Sequence, residues 1–242
     1  MGVAQSAVLS RYFGGKEIAF ALALNVSFAR LGTILNDWIS PALSSNVGIP
    51  ATFSVGVLCC FLSCWGAVEL SVQIRASPTP SSEPRISDGS LTLLKAAQSL
   101  DGLFWLVVTA CVGGYCCIMP FISVFTAVRP VNLSQAGAGQ MVSIVFLVSA
   151  VITPLIGKFV DRFGRATWVL TASCFLLSLT HVLFNNYNHV VVMLTLGMAY
   201  AGFVASVWPL VPLTVPEDRV GLAYGILTAF QNAGLTAMPL LV

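Results

Sequence analysis

The sequence predicts an all-α protein that crosses a lipid bilayer several times. Its 242 residues are 57% hydrophobic and only 8% charged, whereas soluble domains carry about 25% charged residues. A chain with so few charges cannot cover a surface that faces water, so lipid is the solvent that it requires. The apolar residues also fall into runs of about 20 or more, the length that a helix needs to cross a membrane.

Seven apolar stretches are long enough to span the bilayer, and residues 1–13 resemble the end of an earlier span. The one long polar stretch, 75–101, is rich in Ser, Pro and charged residues and predicts a flexible linker. We therefore expect three parts, with helical bundles in 1–74 and 102–242 on either side of this linker. The predicted spans are 18–43, 51–73, 103–127, 137–157, 166–187, 190–214 and 220–242.

The positive charges give the direction of the spans. When the spans alternate in direction, nine of the 11 Lys and Arg residues fall on one side; Arg129 is on the other side and Arg30 lies within a span. Since basic loops stay in the cytosol, the linker is predicted to be cytosolic. The nine residues on that side are Arg11, Lys16, Arg75, Arg85, Lys95, Lys158, Arg162, Arg165 and Arg219.

Two regions of the chain align without a gap when the sequence is shifted by 202 residues. Residues 16–22 then face 218–224, and in both copies a pair of charged residues precedes an apolar helix. Parallel repeats of this kind are typical of transporters built from two similar halves, although two apolar helices can also match by chance. The other matched pairs are Phe28 with Phe230 and Gly32 with Gly234.

A glycine followed by D-R-x-G-R lies on the cytosolic side, where we expect a short loop between two spans. Gly157 allows two helices to approach closely, and Gly164 permits a tight turn. Asp161 is suited to accept hydrogen bonds from a helix N-terminus or to pair with an arginine, in a charge cluster that rearranges as a gate. This pattern resembles the signature of the major facilitator superfamily. The predicted gating residues are Gly157, Asp161, Arg162, Gly164 and Arg165.

The resemblance implies a partial major facilitator fold. In that superfamily the signature occurs between helices 2 and 3 and again between helices 8 and 9, and the repeat and the linker favour the second position. Residues 1–74 would then hold the end of helix 4 and helices 5 and 6, and 102–242 would hold helices 7 to 11 of 12. Helices 1 to 3 and helix 12 would be absent.

Short motifs along nearly the whole chain are similar, in the same order, to one branch of this superfamily, the lysosomal dipeptide transporters. That resemblance implies a uniporter that exports dipeptides from the lysosome to the cytosol by alternating access, together with a glycosylated lysosomal membrane protein as accessory subunit. The motifs are Ala4-Gln5, Tyr12-Phe13, Gly15-Lys16-Glu17, Ser27-x-Ala29-Arg30-x-Gly32-x3-Asn36, Pro120-Phe121-Ile122, Val160-Asp161, Ser178-x2-His181, Trp208-Pro209, Val215-Pro216-Glu217, Ala223-Tyr224-Gly225 and Gln231-Asn232-x-Gly234-Leu235.

Arg30 is the strongest candidate for a substrate-binding residue. A charge near the middle of a membrane helix costs at least about 2.5–3.5 kcal/mol, so it should face a cavity or a partner. No acidic residue lies three or four positions away from Arg30. A guanidinium without an acid suits a carboxylate, such as a peptide C-terminus, through bidentate contacts. The alternative is a structural ion pair with an acid on a helix outside this chain.

Three amides are further candidates for the substrate site. Gln5 lies on the helix that faces the cavity in the resembling family, and an amide can donate to and accept from a peptide bond at once. Asn36 and Asn232 are polar residues within spans, and Asn232 is the repeat partner of Arg30. Hydrogen bonds between helices are an equally good explanation for all three.

The sequence predicts a multi-pass membrane transporter, in the lysosomal membrane by resemblance, and no enzyme. It contains no catalytic triad, phosphate-binding loop or metal-binding cluster, and we expect no cofactor. The expected partners are the bilayer and a dipeptide or other small organic substrate, with no nucleic acid. Alternatives are a fragment unable to transport, a membrane scaffold, and a facilitator of another small organic anion.

Overall fold

A computed structural model describes residues 2–13, 17–76, 100–128, 135–184 and 188–238. No described residue lies in a strand, which confirms the prediction of an all-α fold. Two short 3-10 turns, Val211–Leu213 and Glu217–Arg219, precede the last helix. The helices are α1 (Val3–Tyr12), α2 (Ile18–Val47), α3 (Ile49–Ala76), α4 (Gly102–Val128), α5 (Gln135–Phe163), α6 (Ala166–Leu183), α7 (His189–Leu210) and α8 (Val220–Ala237).

Among the described residues, six helices, α2 to α7, are long and apolar enough to cross a membrane. They correspond to six of the seven predicted spans. The seventh predicted span contains α8, which has 18 residues, includes Gln231 and Asn232, and is not among these six. Most of the predicted linker, residues 77–99, lies outside the described residues, so the division into two bundles stays a prediction.

The helix α5 ends later than the sequence suggested, and this changes how the signature motif is built. The predicted span stopped at residue 157, but α5 continues to Phe163. Most of the motif is therefore the end of a helix, and the connection to α6 is only Gly164 and Arg165. Gly164 has a φ of 64°, a conformation that favours glycine and ends helices. Its backbone N–H donates to the carbonyl of Val160 at 2.8 Å.

The chain divides into two compact units, one formed by residues 1–34 and 86–242 and the other by residues 35–85. The second unit contains the end of α2 and all of α3. Gly48, with a φ of 91°, separates these two helices. Large apolar side chains on α3 are exposed along its length, including Phe53, Phe61 and Trp65, as expected for a helix whose surroundings are apolar.

The first unit is organised around α7. This helix packs against α4, α5 and α6, and every residue from Ala199 to Pro209 is buried. Glycine and alanine residues on α7 allow its neighbours to approach closely, as is common between membrane helices. On another side of the unit, α8 packs against α4 and α1. The first half of α2 lies in the same unit and reaches α5 and α7 through the contacts described below.

Candidate functional site

The helix α2 meets α5 at a few residues, near its own start and through the long side chain of Arg30. On α5 the contacting residues Asp161, Gly157 and Thr153 are four positions apart, so they line up on one side of the helix. They meet residues near the start of α2 at one end and Arg30 at the other. We call this surface the α2–α5 seam. It consists of Ala19, Phe20, Ala23 and Arg30 of α2 with Thr153, Gly157 and Asp161 of α5.

At one end of the seam, Asp161 caps the N-terminus of α2. Its two carboxylate oxygens accept hydrogen bonds from the backbone N–H groups of Ala19, at 2.9 Å, and Phe20, at 2.7 Å. The first N–H groups of a helix have no partner within the helix, and its N-terminus carries a partial positive charge. A carboxylate from α5 accepts hydrogen bonds from these N–H groups and places a negative charge beside the positive end of the helix. Of the two partners that the sequence allowed for Asp161, the structure therefore places it at a helix N-terminus.

Gly157 brings the two helices into backbone contact next to this cap. A Cβ atom added at Gly157 would lie 2.8 Å from the carbonyl oxygen of Ala19 and 2.8 Å from the Cβ of Ala23. Real Cβ atoms are not found so close to other heavy atoms, so a larger residue would force the helices apart. Glycine at position 157 thus sets how closely α2 can approach α5.

The two arginines of the motif lie at the exposed end of α5. Arg162 and Arg165 are both exposed, and the guanidinium carbon of Arg162 lies 5.6 Å from the centre of the Phe163 ring. Arg165 directly precedes the first turn of α6. Gly157, Asp161 and Gly164 therefore build the seam and the turn, while Arg162 and Arg165 provide positive charge beside them.

Deeper in the seam, Arg30 is buried without an acidic partner among the described residues. Only 5% of its surface is exposed. Its Nη1 donates to the Thr153 hydroxyl at 3.4 Å, and its guanidinium carbon lies 3.8 Å from the centre of the Tyr200 ring. Nη2 is also buried but has no hydrogen-bond partner in the described part of the chain. Because burial of an unpaired charge is costly, Nη2 is the donor that most needs an external acceptor.

A connected set of polar and aromatic side chains surrounds Arg30. The Thr153 hydroxyl donates to the carbonyl of Ser149 one turn earlier on α5. The edge of the Tyr115 ring faces Tyr200, with ring centres 6.1 Å apart and an angle of 88° between the planes. Trp208 Nε1 donates to the Tyr115 hydroxyl at 3.2 Å. The surroundings of Arg30 thus link α2 with α4, α5 and α7.

The other predicted substrate-binding residues lie elsewhere. Gln5 on α1 and Asn232 on α8 are exposed. Asn36 belongs to the second compact unit, is exposed, and accepts a hydrogen bond from Ser40 at 2.8 Å. The structure therefore does not place Gln5 or Asn232 in a buried cluster with Arg30.

Sequence reasoning missed Thr153 and Tyr200, the two residues that contact the Arg30 guanidinium. A signal for Thr153 was present, because it lies four residues before Gly157 and eight before Asp161, on the same face of one helix. Tyr200 gave no comparable signal. Its contact with Arg30 depends on how α7 is rotated in the folded unit.

Comparisons with known proteins agree with this architecture. The family model described as Major Facilitator Superfamily matches residues 1–241. The chain is 28% identical over 257 residues to the lysosomal dipeptide transporter MFSD1 of Homo sapiens, covering 100% of this chain and 55% of the relative. The chain is also 27% identical over 256 residues to the protein of the same name from Bos taurus, in an alignment that covers 100% of this chain and 54% of that relative.

Another relative matches a shorter part of the chain. The multidrug resistance protein MdtG of Dickeya zeae (strain Ech586) is 29% identical over 130 residues, which is 51% of this chain and 32% of that protein. The chain spans about half the length of the MFSD1 relatives that it matches. Since the family model covers nearly every residue, the chain belongs to the major facilitator superfamily.

Proposed function

We propose that the protein containing this chain transports a small molecule with a free carboxylate, a dipeptide in particular, across the lysosomal membrane by alternating access. The observation that carries this proposal is the Arg30 guanidinium, which is buried and has an unpartnered Nη2 among the described residues. A permanently charged group in such a place needs an anion or water. In a membrane transporter an intramembrane charge is a candidate substrate contact.

The chemistry of Arg30 favours a carboxylate over other ligands. Guanidinium presents several donors in a fixed plane and stays charged at any physiological pH. Thr153 and Tyr200 occupy Nη1 and one face of the group, which leaves Nη2 for the ligand. Hydrogen bonds between two charged groups are about twice as strong as neutral ones. We infer that a peptide C-terminus or another carboxylate is the part of the substrate that Arg30 binds.

Alternating access requires an interface that can close and open, and the end of the α2–α5 seam has the properties of one. Its closing contacts are the two hydrogen bonds from Asp161 and the backbone contact at Gly157. These contacts join separate helices through few groups, so α2 and α5 can separate without unfolding. We propose that they hold the predicted cytosolic side closed, and that export requires them to break.

The names of the relatives support the finer parts of the proposal. Proteins called lysosomal dipeptide transporters align with the whole chain, which favours a dipeptide as substrate and the lysosomal membrane as the location. Uniport toward the cytosol, and a glycosylated lysosomal membrane protein as accessory subunit, complete the proposal on the basis of the sequence resemblance.

A second candidate concerns the 242-residue chain by itself. It spans about half of its relatives, and the predicted site residues Gln5 and Asn232 are exposed. The chain alone would then fold into the membrane but would not transport. It would act as a membrane scaffold.

Uptake of a labelled dipeptide into vesicles tests both candidates. The 242-residue chain is compared with a version extended upstream through the first three helices of the family, and each is also measured with Arg30→Ala. We expect uptake by the extended form, and a loss of at least about a hundredfold with Arg30→Ala, because truncating one partner of a buried charge pair costs about 3–5 kcal/mol.

The control is an Asn46→Ala variant of the extended form, because Asn46 is exposed, belongs to the other compact unit and has no proposed role in binding. Uptake by the extended form but not by the chain alone would show that the 242-residue chain does not transport by itself, as the second candidate requires. If the extended form reaches the membrane and folds but takes up no dipeptide, the dipeptide proposal is wrong and only the family assignment remains.

A further inference from the structure

Arg30 is held by side chains from two other helices, and these have no assigned role. We propose that Tyr200 and Thr153 are positioning residues that direct Nη2 of Arg30 toward the ligand and give the site its preference for a free carboxylate over a neutral amide. This inference rests on the proposed function, because it specifies how the same site selects its substrate.

Tyr200 supports the guanidinium without neutralising it. The Arg30 guanidinium carbon lies 3.8 Å from the centre of the Tyr200 ring, well inside the distance of about 6 Å at which a ring attracts a cation. A buried Asp or Glu in this position would pair with Arg30 and compete with the ligand for it. An aromatic face stabilises the charge and leaves it available to a carboxylate.

Thr153 fixes which nitrogen of Arg30 is free. A hydroxyl group has one hydrogen to donate and two lone pairs to accept with. The Thr153 hydroxyl gives its hydrogen to the Ser149 carbonyl, so its lone pairs are available to Nη1 of Arg30. With Nη1 engaged and one face covered by Tyr200, the buried Nη2 is left as a donor without a partner in the described residues.

The Tyr200 ring is itself held in place from behind. The Tyr115 ring meets it edge-on, and the Phe203 ring meets Tyr115 edge-on with centres 5.5 Å apart. Trp208 donates to the Tyr115 hydroxyl. Tyr200, Tyr115 and Trp208 are all at least nine-tenths buried. A site whose supporting residues are locked by packing keeps its donor in one orientation.

The expected consequence is a change in selectivity as well as in affinity. A fixed, poorly hydrated guanidinium gains more from a carboxylate than from an amide, because only the carboxylate adds the attraction between two opposite charges. Without the Tyr200 face, Arg30 can turn toward water and becomes hydrated. Binding of the free acid should then fall more than binding of the amide.

The test compares a dipeptide with its C-terminal amide. Ligand-induced thermal stabilisation is measured for both ligands in the 242-residue chain and in the upstream-extended form, and half-saturation of uptake is measured in the extended form. Tyr200→Leu removes the aromatic face, and Tyr200→Phe retains it. Thr153→Val removes the hydroxyl at nearly constant shape, and Thr153→Ser retains it.

We expect Tyr200→Leu to reduce the acid-over-amide preference by about tenfold, the effect of losing a desolvated cation–π contact. Tyr200→Phe should stay within about twofold of the unmodified protein, since it keeps the ring. Thr153→Val should reduce the preference by about threefold to tenfold, as expected for one hydrogen bond to a charged group, and Thr153→Ser should largely restore it.

If Tyr200→Leu and Thr153→Val weaken binding of the acid and of the amide equally, these residues serve only the packing and the inference is wrong. It is also wrong if both variants keep the acid-over-amide preference of the unmodified protein. If Tyr200→Leu is not recovered in folded form, Tyr200→Met replaces it in the same comparison, because methionine fills the space without an aromatic face. Failure of the proposed function looks different, because the unmodified extended protein would then show no preference for the acid, or would keep one in Arg30→Ala.

Discussion

The helices α2 and α8, which the predicted repeat aligns, have very different surroundings. They begin at Ile18 and Val220, which preserves the offset of 202 residues found in the sequence. The start of α2 is capped by a carboxylate from α5. The start of α8 follows Arg219, which makes no side-chain cap bond to it. Similar helices therefore acquire different properties from what packs against them.

The same contrast appears deeper in the two helices. Arg30 is buried against Thr153 and Tyr200, whereas its repeat partner Asn232 is exposed. An arginine at this position is tolerable because a hydroxyl and an aromatic ring from two other helices meet it. We infer that the repeat supplied two comparable positions and that the neighbours of α2 made one of them suitable for a charged residue.

Among substitutions that test the difference between α2 and α8, Gly157→Ala should have the largest effect. The added Cβ would lie 2.8 Å from a backbone oxygen of α2, and overpacking of this kind costs about 1–3 kcal/mol. We expect α2 to separate from α5 at this end of the seam. Hydrogen exchange of the Ala19 and Phe20 amides should become about fivefold to a hundredfold faster.

The matched control for this prediction is Gly221→Ala at the start of α8. A Cβ there would meet nothing within 4 Å, and alanine is the better helix former by about 1 kcal/mol. This variant should be neutral or slightly more stable. Unchanged exchange at Ala19 and Phe20 in Gly157→Ala would show that the backbone contact does not hold the seam together.

An intermediate effect is expected from Asp161→Asn. The amide oxygen can still accept one hydrogen bond, but the negative charge at the N-terminus of α2 and the second acceptor are lost. Loss of a cap costs about 0.5–2 kcal/mol, so exchange at Ala19 and Phe20 should rise by about twofold to thirtyfold. Asp218→Asn, just before α8, is the control and should leave these two amides unchanged. Equal effects of the two substitutions would argue against a specific cap.

Hydropathy in the sequence was enough to predict an all-α membrane fold. Long apolar runs predicted the helices, because a spanning helix must satisfy its backbone internally. The close approach at Gly157 and the left-handed turn at Gly164 followed from residue type and spacing. The loop at the signature is shorter than expected, because the helix α5 continues past its last strongly apolar residues to Phe163.

The candidate site was less accessible to sequence reasoning. Arg30 could be identified because an intramembrane charge is rare, but its neighbours come from α5 and α7, more than 100 positions away in the chain. The identity of such neighbours depends on helix rotation and packing. Gln5 was favoured by the resembling family, Asn36 by its polarity, and Asn232 by its polarity and the repeat. These three residues are exposed, because polar groups also occur where helices simply meet water.

The smallest effect should come from Asn232→Ala. This substitution tests most directly whether Asn232 on α8 differs in role from Arg30 on α2. In the 242-residue chain Asn232 is exposed, and substitutions at exposed positions usually change stability by less than about 0.5 kcal/mol. We expect the thermal unfolding temperature of the chain to stay nearly the same, in contrast to Arg30→Ala. In the extended form, dipeptide uptake should keep its half-saturation concentration within about twofold, the change that corresponds to such an energy. A tenfold rise in this half-saturation concentration, with the unfolding temperature unchanged, would mean that both Arg30 and Asn232 contact the substrate. The difference between buried Arg30 and exposed Asn232 would then be a feature of the 242-residue chain that the extended transporter does not share.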